Sequence, residues 1–285
     1  GDTPWPEFEA KALRSYPDWK AKGVDFSGVA RNLRDGEGVE VAGAAEYFEG
    51  GVWVDESFAS SIPGLYAAGE CAVSLFGANR VAAATMEMLV SGAIAGEAAG
   101  AFSKANASPS PDNRMAEQII ESLEQPLHRS KKVQVGHARH ELQLEASKYL
   151  GPVRCASELE TLIRILDEIR TTVIPNLGVS TTSRTYNKEW IECLELANLV
   201  TVLELSARGA LERRESRGVH YREDFPLTDN DQWLREIHFS TSEEKPKLSY
   251  RPVRSTSLSL PSGKKPYQEM IHDMMCAHSD VGGHH

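Results

Sequence analysis

The 285-residue sequence lacks several features that would assign it to a class at once. It has no G-x-G-x-x-G pattern, with which a strand-to-helix turn cradles a dinucleotide, and no run of eighteen apolar residues that could span a membrane. Its four cysteines, Cys71, Cys155, Cys193 and Cys276, form no C-x-x-C pair. Scattered cysteines favour free thiols in a reducing compartment. These absences predict a cytoplasmic protein without a membrane-inserted segment.

Basic charge is also scarce, with 31 Lys and Arg against 41 Asp and Glu and a formal net charge of -10. An acidic surface of this size argues against nucleic acid as a partner. The residues His272, Cys276 and His278 near the end of the chain lack a matched pair of ligands at zinc spacing, so we predict no metal site.

The stretch from Gly50 to Gly100 contains the most regular pattern. Two short β-rich runs, Val52 to Val54 and Leu65 to Ala68, are separated by the chain-breaking pair Pro63-Gly64. A helix rich in Ala and Gly is predicted from Ala82 to Ala101, with an apolar stripe at Met86, Leu89, Val90 and Ile94. Its small residues Gly92, Ala95, Gly96 and Ala99 would let it approach a sheet or a cofactor closely.

A polar segment rich in Pro and Ser, Asn106 to Asp112, predicts a linker to a helical region. The patterns predict helices over Asn113 to Glu124, His137 to Leu150, Ala156 to Ile174 and Lys188 to Glu215. The apolar face of the last comprises Leu196, Leu199, Val200, Leu203, Ala207, Ala210 and Leu211. These helices should form a bundle.

Several motifs resemble those of the succinate dehydrogenase/fumarate reductase flavoprotein family. They are EYFEGGVWVD from Glu46, GLYAAGE from Gly64, GANRVAAATMEM from Gly77 and ESRGVHYREDFPLTDNDQWL from Glu215, with LQLEASKYLGPVR from Leu142 between them. They occur in the family's order and cover roughly residues 20 to 240. The resemblance implies an α+β fold, in which the C-terminal remnant of a Rossmann-like FAD-binding domain precedes a helical bundle. The expected divisions are residues 1–49 as the return from a capping domain, 50–104 as part of the FAD-binding domain, and 105–285 as the helical domain with a polar tail.

The resemblance implies FAD as the cofactor, contacted by Gly69, Glu70, Asn79, Thr85 and Met86. The residues support this independently, because Glu70 follows a strand end, where α/β sheets receive ligands, and its carboxylate can accept hydrogen bonds from ribityl or ribose hydroxyls. The N-terminus of the following helix offers unpaired N–H groups to the flavin pyrimidine edge. The alternative is a helix end packed on a sheet without any ligand.

The resemblance assigns Arg80, the arginine of GANR, to a substrate carboxylate, a task for which a planar fork of donors is suited. Where the family has the histidine of its HYxMGG motif, this chain has Glu46, and where the family has the methionine, it has Glu49. A carboxylate at position 46 would repel a dianion unless it is protonated or paired with a cation. We therefore expect Glu46 and Arg80 to form a catalytic site whose substrate is not plain succinate or fumarate.

The family's histidine for covalent FAD and its proton-delivering arginine have no counterpart in this sequence. We thus expect a flavin-dependent oxidoreductase that is incomplete without a further FAD-domain segment or a partner chain, either as the C-terminal piece of a longer protein or as one subunit of a split enzyme. An iron–sulfur subunit is the other expected partner, and any attachment to a membrane would be through partner subunits. The block from Glu215 is either an ion-pair clasp that ties the helical region to the flavin domain, or a surface that meets a partner or lines the electron route to that subunit. The alternative to an enzyme is a non-catalytic scaffold within a redox complex.

Overall fold

The computed structural model describes residues 47–73, 84–107, 110, 112–129, 132–241, 246–253 and 260–279, without the side chains of residues 277–279. The chain divides into two compact units after Tyr47, and the fold given below is that of the second unit, Phe48–His285. Among the described residues, none of the helices is both long and apolar enough to cross a bilayer.

The regular elements are mainly helices, with short strands in the second half of the chain. In chain order they are α1 (Ala84–Ala105), α2 (Asn113–His128), α3 (Val135–Tyr149), β1 (Val153–Arg154), α4 (Ala156–Glu168), α5 (Lys188–Glu212), β2 (Tyr221–Arg222), β3 (Thr228–Asp229), α6 (Asn230–Trp233), β4 (Arg235–Ser240), β5 (Lys247–Pro252), β6 (Lys264–Lys265) and α7 (Tyr267–Ser279). A 3-10 turn, Gly69–Cys71, precedes α1, and a π-helical turn, Ile169–Val173, continues α4. This mixed architecture confirms the predicted α+β class.

Two of the helix starts follow directly from capping residues in the sequence. The side chain of Asp112 accepts hydrogen bonds from the amides of Arg114 and Met115 at the start of α2. Asn187 does the same for the amide of Trp190 at the start of α5. Each cap satisfies N–H groups that have no acceptor within the helix, so these starts agree with the predicted ones.

Helices α2 to α5 surround a common apolar core. In α4 the leucines Leu159, Leu162 and Leu166 recur at helical spacing, and each is 0% exposed. Leu162 and Leu166 pack in the same cluster as Leu196, Val200 and Ala207 of α5. The predicted bundle and the predicted apolar face of its longest helix are therefore confirmed in the described residues.

Helix α1 buries a different face from the predicted one. Its predicted apolar stripe is solvent-exposed, with Met86 62%, Leu89 66%, Val90 47% and Ile94 40% accessible. The buried positions are instead Glu87, Ser91 and Ala95, which also recur at a spacing of four. The wrong face was predicted because the prediction rested on hydrophobicity alone. In the structure the face that carries Ser91 is buried because it contacts the preceding turn.

The two β-rich runs of the flavin-proximal segment form only isolated bridges, Val52 with Ala72 and Ala59 with Tyr66. The predicted strands at Val52 to Val54 and Leu65 to Ala68 are in this respect wrong. A two-stranded pairing is marginal without further strands beside it, so β propensity alone does not extend the bridges into a ladder.

Three short sheets complete the described fold. Strands β1 and β2 pair in parallel, and β3 and β6 pair antiparallel. The longest is the antiparallel ribbon of β4 and β5, in which Arg235 lies opposite Pro252 and Ser240 opposite Lys247. This ribbon lies beside the C-terminal half of α5, since a Cβ on Gly209 would lie 3.7 Å from the ring of Phe239.

Candidate functional site

Gly51 brings the segment after Tyr47 against the backbone that carries Glu70. A Cβ built on Gly51 would lie 2.4 Å from the carbonyl oxygen of Cys71, so a side chain at this position would force the two segments apart. The contact is fixed by two backbone hydrogen bonds, from the amide of Val52 to the Cys71 carbonyl at 2.8 Å and from the amide of Val73 to the Val52 carbonyl at 2.9 Å. The loop and the turn at Gly69–Cys71 therefore form one unit.

Gly69 and Ser91 attach this turn to α1. Gly69 has a φ of +68°, a conformation that favours glycine, and its amide donates to Ser91 Oγ at 3.0 Å. The Ser91 hydroxyl in turn donates to the Glu87 carbonyl oxygen at 2.6 Å and is 1% exposed. Sequence reasoning missed Ser91, although a serine among small residues in a helix is a signal for a hydroxyl bonded to a carbonyl four residues earlier.

Glu70 projects from this turn with its side chain exposed. Its Oε1 accepts a hydrogen bond from the amide of Phe48 at 2.9 Å, and its Oε2 accepts none from the described part of the chain. The hydrogen bond from Phe48 therefore orients the Glu70 carboxylate through one of its oxygens.

The first turn of α1 lies close to Glu70. A Cβ on Gly69 would be 3.4 Å from the side chain of Met88, which is one helical turn after Ala84. Thr85 and Met86 lie within that first turn and are exposed. The first N–H groups of a helix have no acceptor within it and carry the positive end of the helix dipole. The structure thus packs the turn that bears Glu70 against Met88 and Ser91 of α1, and Thr85 and Met86 precede these residues on the same helix.

Three predicted site residues, Glu46, Asn79 and Arg80, lie outside the described residues.

Two further carboxylates, which sequence reasoning did not connect, lie together at this end of α1. Glu87 is 6% exposed, and burial raises the pKa of Glu49, with a smaller contribution from the charge of Glu87. Glu49 Oε2 is buried and has no hydrogen-bond partner in the described part of the chain. Glu49 stands where the family motif has methionine, so an apolar residue is replaced by an acidic one. This departure from the motif was the signal in the sequence.

These residues fit one side of an FAD site. Amides at a helix N-terminus can stabilise the negative charge of a reduced flavin, and the exposed carboxylate of Glu70 can accept a hydrogen bond from a sugar-like hydroxyl. The glycine-rich turn that would hold a pyrophosphate is not encoded in this sequence.

The ESRGVHYRED block forms an ion-pair clasp within the helical region. Glu215 is 0% exposed and accepts hydrogen bonds from Arg213 at 2.7 Å and Arg217 at 2.8 Å. Arg222, 1% exposed, donates to the Ala210 and Leu211 carbonyl oxygens at 2.6 and 3.0 Å, and so caps the C-terminal end of α5. These contacts support the clasp interpretation, although the clasp joins parts of the helical region rather than attaching that region to the flavin-proximal segment.

Asp224 connects the clasp to the start of α4. Its carboxylate pairs with Arg222 at 2.7 Å and accepts a hydrogen bond from the amide of Ala156 at 3.0 Å. The hydrogen bond from Arg222 is the main reason why the pKa of Asp224 lies below its usual range.

Comparison with known proteins identifies the class of this site. Residues 21–86 match the model of an FAD binding domain, and residues 139–267 match that of the fumarate reductase flavoprotein C-terminal region. The chain is 34% identical over 243 residues to the fumarate reductase flavoprotein subunit of Mycobacterium tuberculosis, covering 80% of this chain and 40% of that protein. It is likewise 34% identical over 196 residues to L-aspartate oxidase of Yersinia pestis, covering 67% of this chain and 34% of the relative.

A solved structure gives the same result. A variant of the FrdA chain of E. coli quinol fumarate reductase superposes with a TM-score of 0.69 at 27% identity, covering 75% of this chain and 37% of that one.

These matches define a portion of a flavoprotein that includes part of an FAD-binding domain. More particularly, the chain belongs to the succinate dehydrogenase/fumarate reductase flavoprotein family. It spans about two fifths of the length of curated relatives such as the Mycobacterium tuberculosis subunit.

Proposed function

We propose that this chain supplies one side of the flavin site in a flavin-dependent oxidoreductase, with the rest of the FAD-binding domain provided by another segment or chain. The observation that carries the proposal is the position of the exposed Glu70, which the amide of Phe48 orients, on a turn that packs against Met88 and Ser91 of α1. The exposed Thr85 and Met86 precede these residues on the same helix. In this arrangement Glu70 orients a ribityl or ribose hydroxyl. The N-terminal amides of α1 face the flavin pyrimidine edge.

FAD, when bound, supplies the hydride and electron chemistry. The residues of this chain bind it, orient it and hold the substrate. Arg80 is proposed to bind one substrate carboxylate as a bidentate donor, with Asn79 shaping its turn. Glu46 occupies the family's histidine position, where a donor for a second carboxylate is expected.

The preferred substrate is therefore proposed to carry one carboxylate, or a cationic group that can pair with Glu46. A second carboxylate on the substrate would be repelled by Glu46 unless Glu46 is protonated or a nearby cation neutralises it.

The domain organisation is proposed on the same basis. Residues 1–49 would return from a capping domain, residues 50–104 would close the FAD-binding domain, and residues 105–285 would form the helical domain. An iron–sulfur protein is the proposed electron-transfer partner, which would also be the route of any attachment to a membrane.

Retention of flavin by matched variants tests the proposal. In the complete flavoprotein, purified through a tag on this chain, Glu70→Ala should lower the ratio of flavin to protein absorbance while leaving the unfolding temperature nearly unchanged. Glu97→Ala is the control, because Glu97 is an exposed acid of the neighbouring helix α1 and its loss changes the charge equally. Equal flavin content in the wild type and in Glu70→Ala would remove Glu70 from the site.

A second arm of the test uses the 285-residue chain by itself. Without a glycine-rich phosphate turn it should not retain FAD through gel filtration. Stoichiometric FAD on the isolated chain would show that the site is complete without another segment.

A further inference from the structure

The β4–β5 ribbon contacts other parts of the chain through both of its faces. On one face the guanidinium of Arg235 lies between two aromatic rings, 4.5 Å from the centre of Trp233 and 3.9 Å from that of Tyr250. The Tyr250 hydroxyl donates to a Glu212 carboxylate oxygen near the end of α5. This face therefore attaches the ribbon to the helical region.

Arg251, the next residue after Tyr250, belongs to the other face, because successive side chains of a strand alternate. Its guanidinium lies over the ring of Trp53, 4.3 Å from the ring centre. A cation at this distance is attracted by the negative face of an indole ring, which is the best aromatic partner for a guanidinium. The contact joins the ribbon to the segment that begins at Phe48.

Trp53 comes directly after Val52, the residue that fixes this segment to the turn that bears Glu70. Val52 donates to the Cys71 carbonyl and accepts from the Val73 amide, and both bonds are shorter than 3.0 Å. Cys71 is adjacent to Glu70, and Gly51 packs on the backbone of Cys71 and Ala72. A displacement of Trp53 is thus transmitted through one residue to the pair of hydrogen bonds that positions Glu70.

We propose that Arg251 is a positioning residue for the flavin site, which acts through its stacking contact on Trp53. In this arrangement the helical region, through the ribbon, holds the loop at Gly50–Gly51 against the turn at Gly69–Cys71. The expected effect of Arg251 on flavin binding rests on the proposed role of Glu70. The effect of Arg251 on the loop follows from the contacts alone. Arg251 itself touches neither the flavin nor the substrate in this proposal.

Hydrogen exchange of two amides tests the structural part in the 285-residue chain. Arg251→Met removes the charge and keeps a side chain of similar length. It should raise the exchange rates of the Val52 and Val73 amides about two- to fivefold, the size expected for loss of an exposed cation–π contact. The amide of Leu196 in the core of α5 should be unaffected. Lys247→Met is the control, because Lys247 is an exposed cation of the same strand.

Dependence on Trp53 separates the proposed contact from a general change in charge. In a Trp53→Leu background, Arg251→Met should produce no further increase in exchange at Val52 and Val73. Exchange rates equal to those of the wild type in Arg251→Met would overturn the proposal. So would an increase that is equally large in the Trp53→Leu background.

The effect on flavin is measured in the complete flavoprotein. Arg251→Met should weaken FAD retention by about the same two- to fivefold factor, and the loss should again require Trp53. Faster exchange without any loss of flavin, in a protein in which Glu70→Ala does lose flavin, would refute the connection to Glu70. If Glu70→Ala retains flavin fully, the proposed function fails, whereas the exchange result still decides whether Arg251 fixes the loop.

Discussion

Arg154 donates a hydrogen bond from Nη1 to Nδ1 of His220 at 3.1 Å. A guanidinium is always a donor, so Nδ1 of His220 is the acceptor and the imidazole is neutral with its proton on Nε2. Nε2 lies 3.4 Å from the Arg213 carbonyl oxygen, to which it donates. Burial, followed by the charge of Arg154, lowers the pKa of His220 to about 4. The clasp therefore requires a neutral histidine.

Stability should fall in acid because of His220. Its pKa in the folded state lies below that in the unfolded state, so the unfolded state binds the proton more tightly. Above about pH 6.5 the His220 imidazole is neutral in both states and does not lower the free energy of unfolding. As the pH falls towards 4, the free energy of unfolding decreases by about 3 kcal/mol because of this side chain. Urea unfolding at several pH values should show this loss in the wild type and a smaller one in His220→Gln. The exposed His140→Gln should keep the wild-type pH dependence, and a His220 resonance that titrates near pH 6.5 would contradict the assignment.

Glu49 should have the opposite pH dependence. Burial raises its pKa in the folded state, so the folded state binds the proton more tightly than the unfolded one. The contribution of Glu49 to the free energy of unfolding is present below the ordinary pKa of a glutamate. It is lost as the pH rises through the pKa that Glu49 has in the folded state. Glu49→Gln should therefore raise the unfolding midpoint at pH 8 relative to the wild type and change it little at pH 4. The exposed Glu97→Gln serves as the comparison, and an equal gain at both pH values would show that charge on Glu49 is not the cause.

Removal of the charge at Glu215 should destabilise the helical region strongly. Glu215 is fully buried between Arg213 and Arg217 and also accepts a hydrogen bond from the Asp229 amide at 2.8 Å. Because Glu215→Gln leaves buried cations with a weaker partner, we expect a loss of about 3–5 kcal/mol in the free energy of unfolding. The matched change Glu195→Gln disrupts an exposed pair with Arg139 and should cost less than about 1 kcal/mol. Similar losses for both variants would exclude a special role for the buried pair.

Activity of the complete enzyme should depend on position 46. Two unit charges at about 4 Å interact by about 4 kcal/mol at an effective dielectric of 20, so Glu46 would disfavour a dianionic substrate substantially. Glu46→His should improve kcat/KM for fumarate or succinate, whereas Glu46→Gln should improve it less because it restores no positive donor. Efficient fumarate turnover by the wild type, insensitive to Glu46, would refute the proposed substrate preference.

The helical region could be predicted well because its determinants are local. Capping residues such as Asp112 and Asn187 mark helix starts, and the spacing of Leu159, Leu162 and Leu166 identifies a buried face. Helix α4 was predicted to continue to Ile174, but it changes to a π-helical turn at Ile169. There Arg170 reaches the buried Glu204 of α5, a contact between elements that periodicity does not encode.

The candidate flavin site was predicted only in part. Motifs singled out Glu70, Thr85 and Met86, but which face of α1 packs against the turn that bears Glu70 depends on the hydrogen bond between Ser91 and Gly69. The interaction of Glu49 with Glu87 joins residues 38 positions apart, and only the three-dimensional fold brings them together. Local propensity cannot supply such pairings.

The exposed stripe of Met86, Leu89 and Val90 on α1 has a consequence for the behaviour of the protein in solution. A net charge of -10 makes molecules repel each other at low ionic strength, whereas at about 0.1 M salt this repulsion is screened beyond roughly 10 Å. Short-range apolar attraction between such stripes then dominates. The isolated chain should consequently remain dispersed in dilute buffer and self-associate as salt is added, the reverse of what is expected where ionic contacts hold copies together.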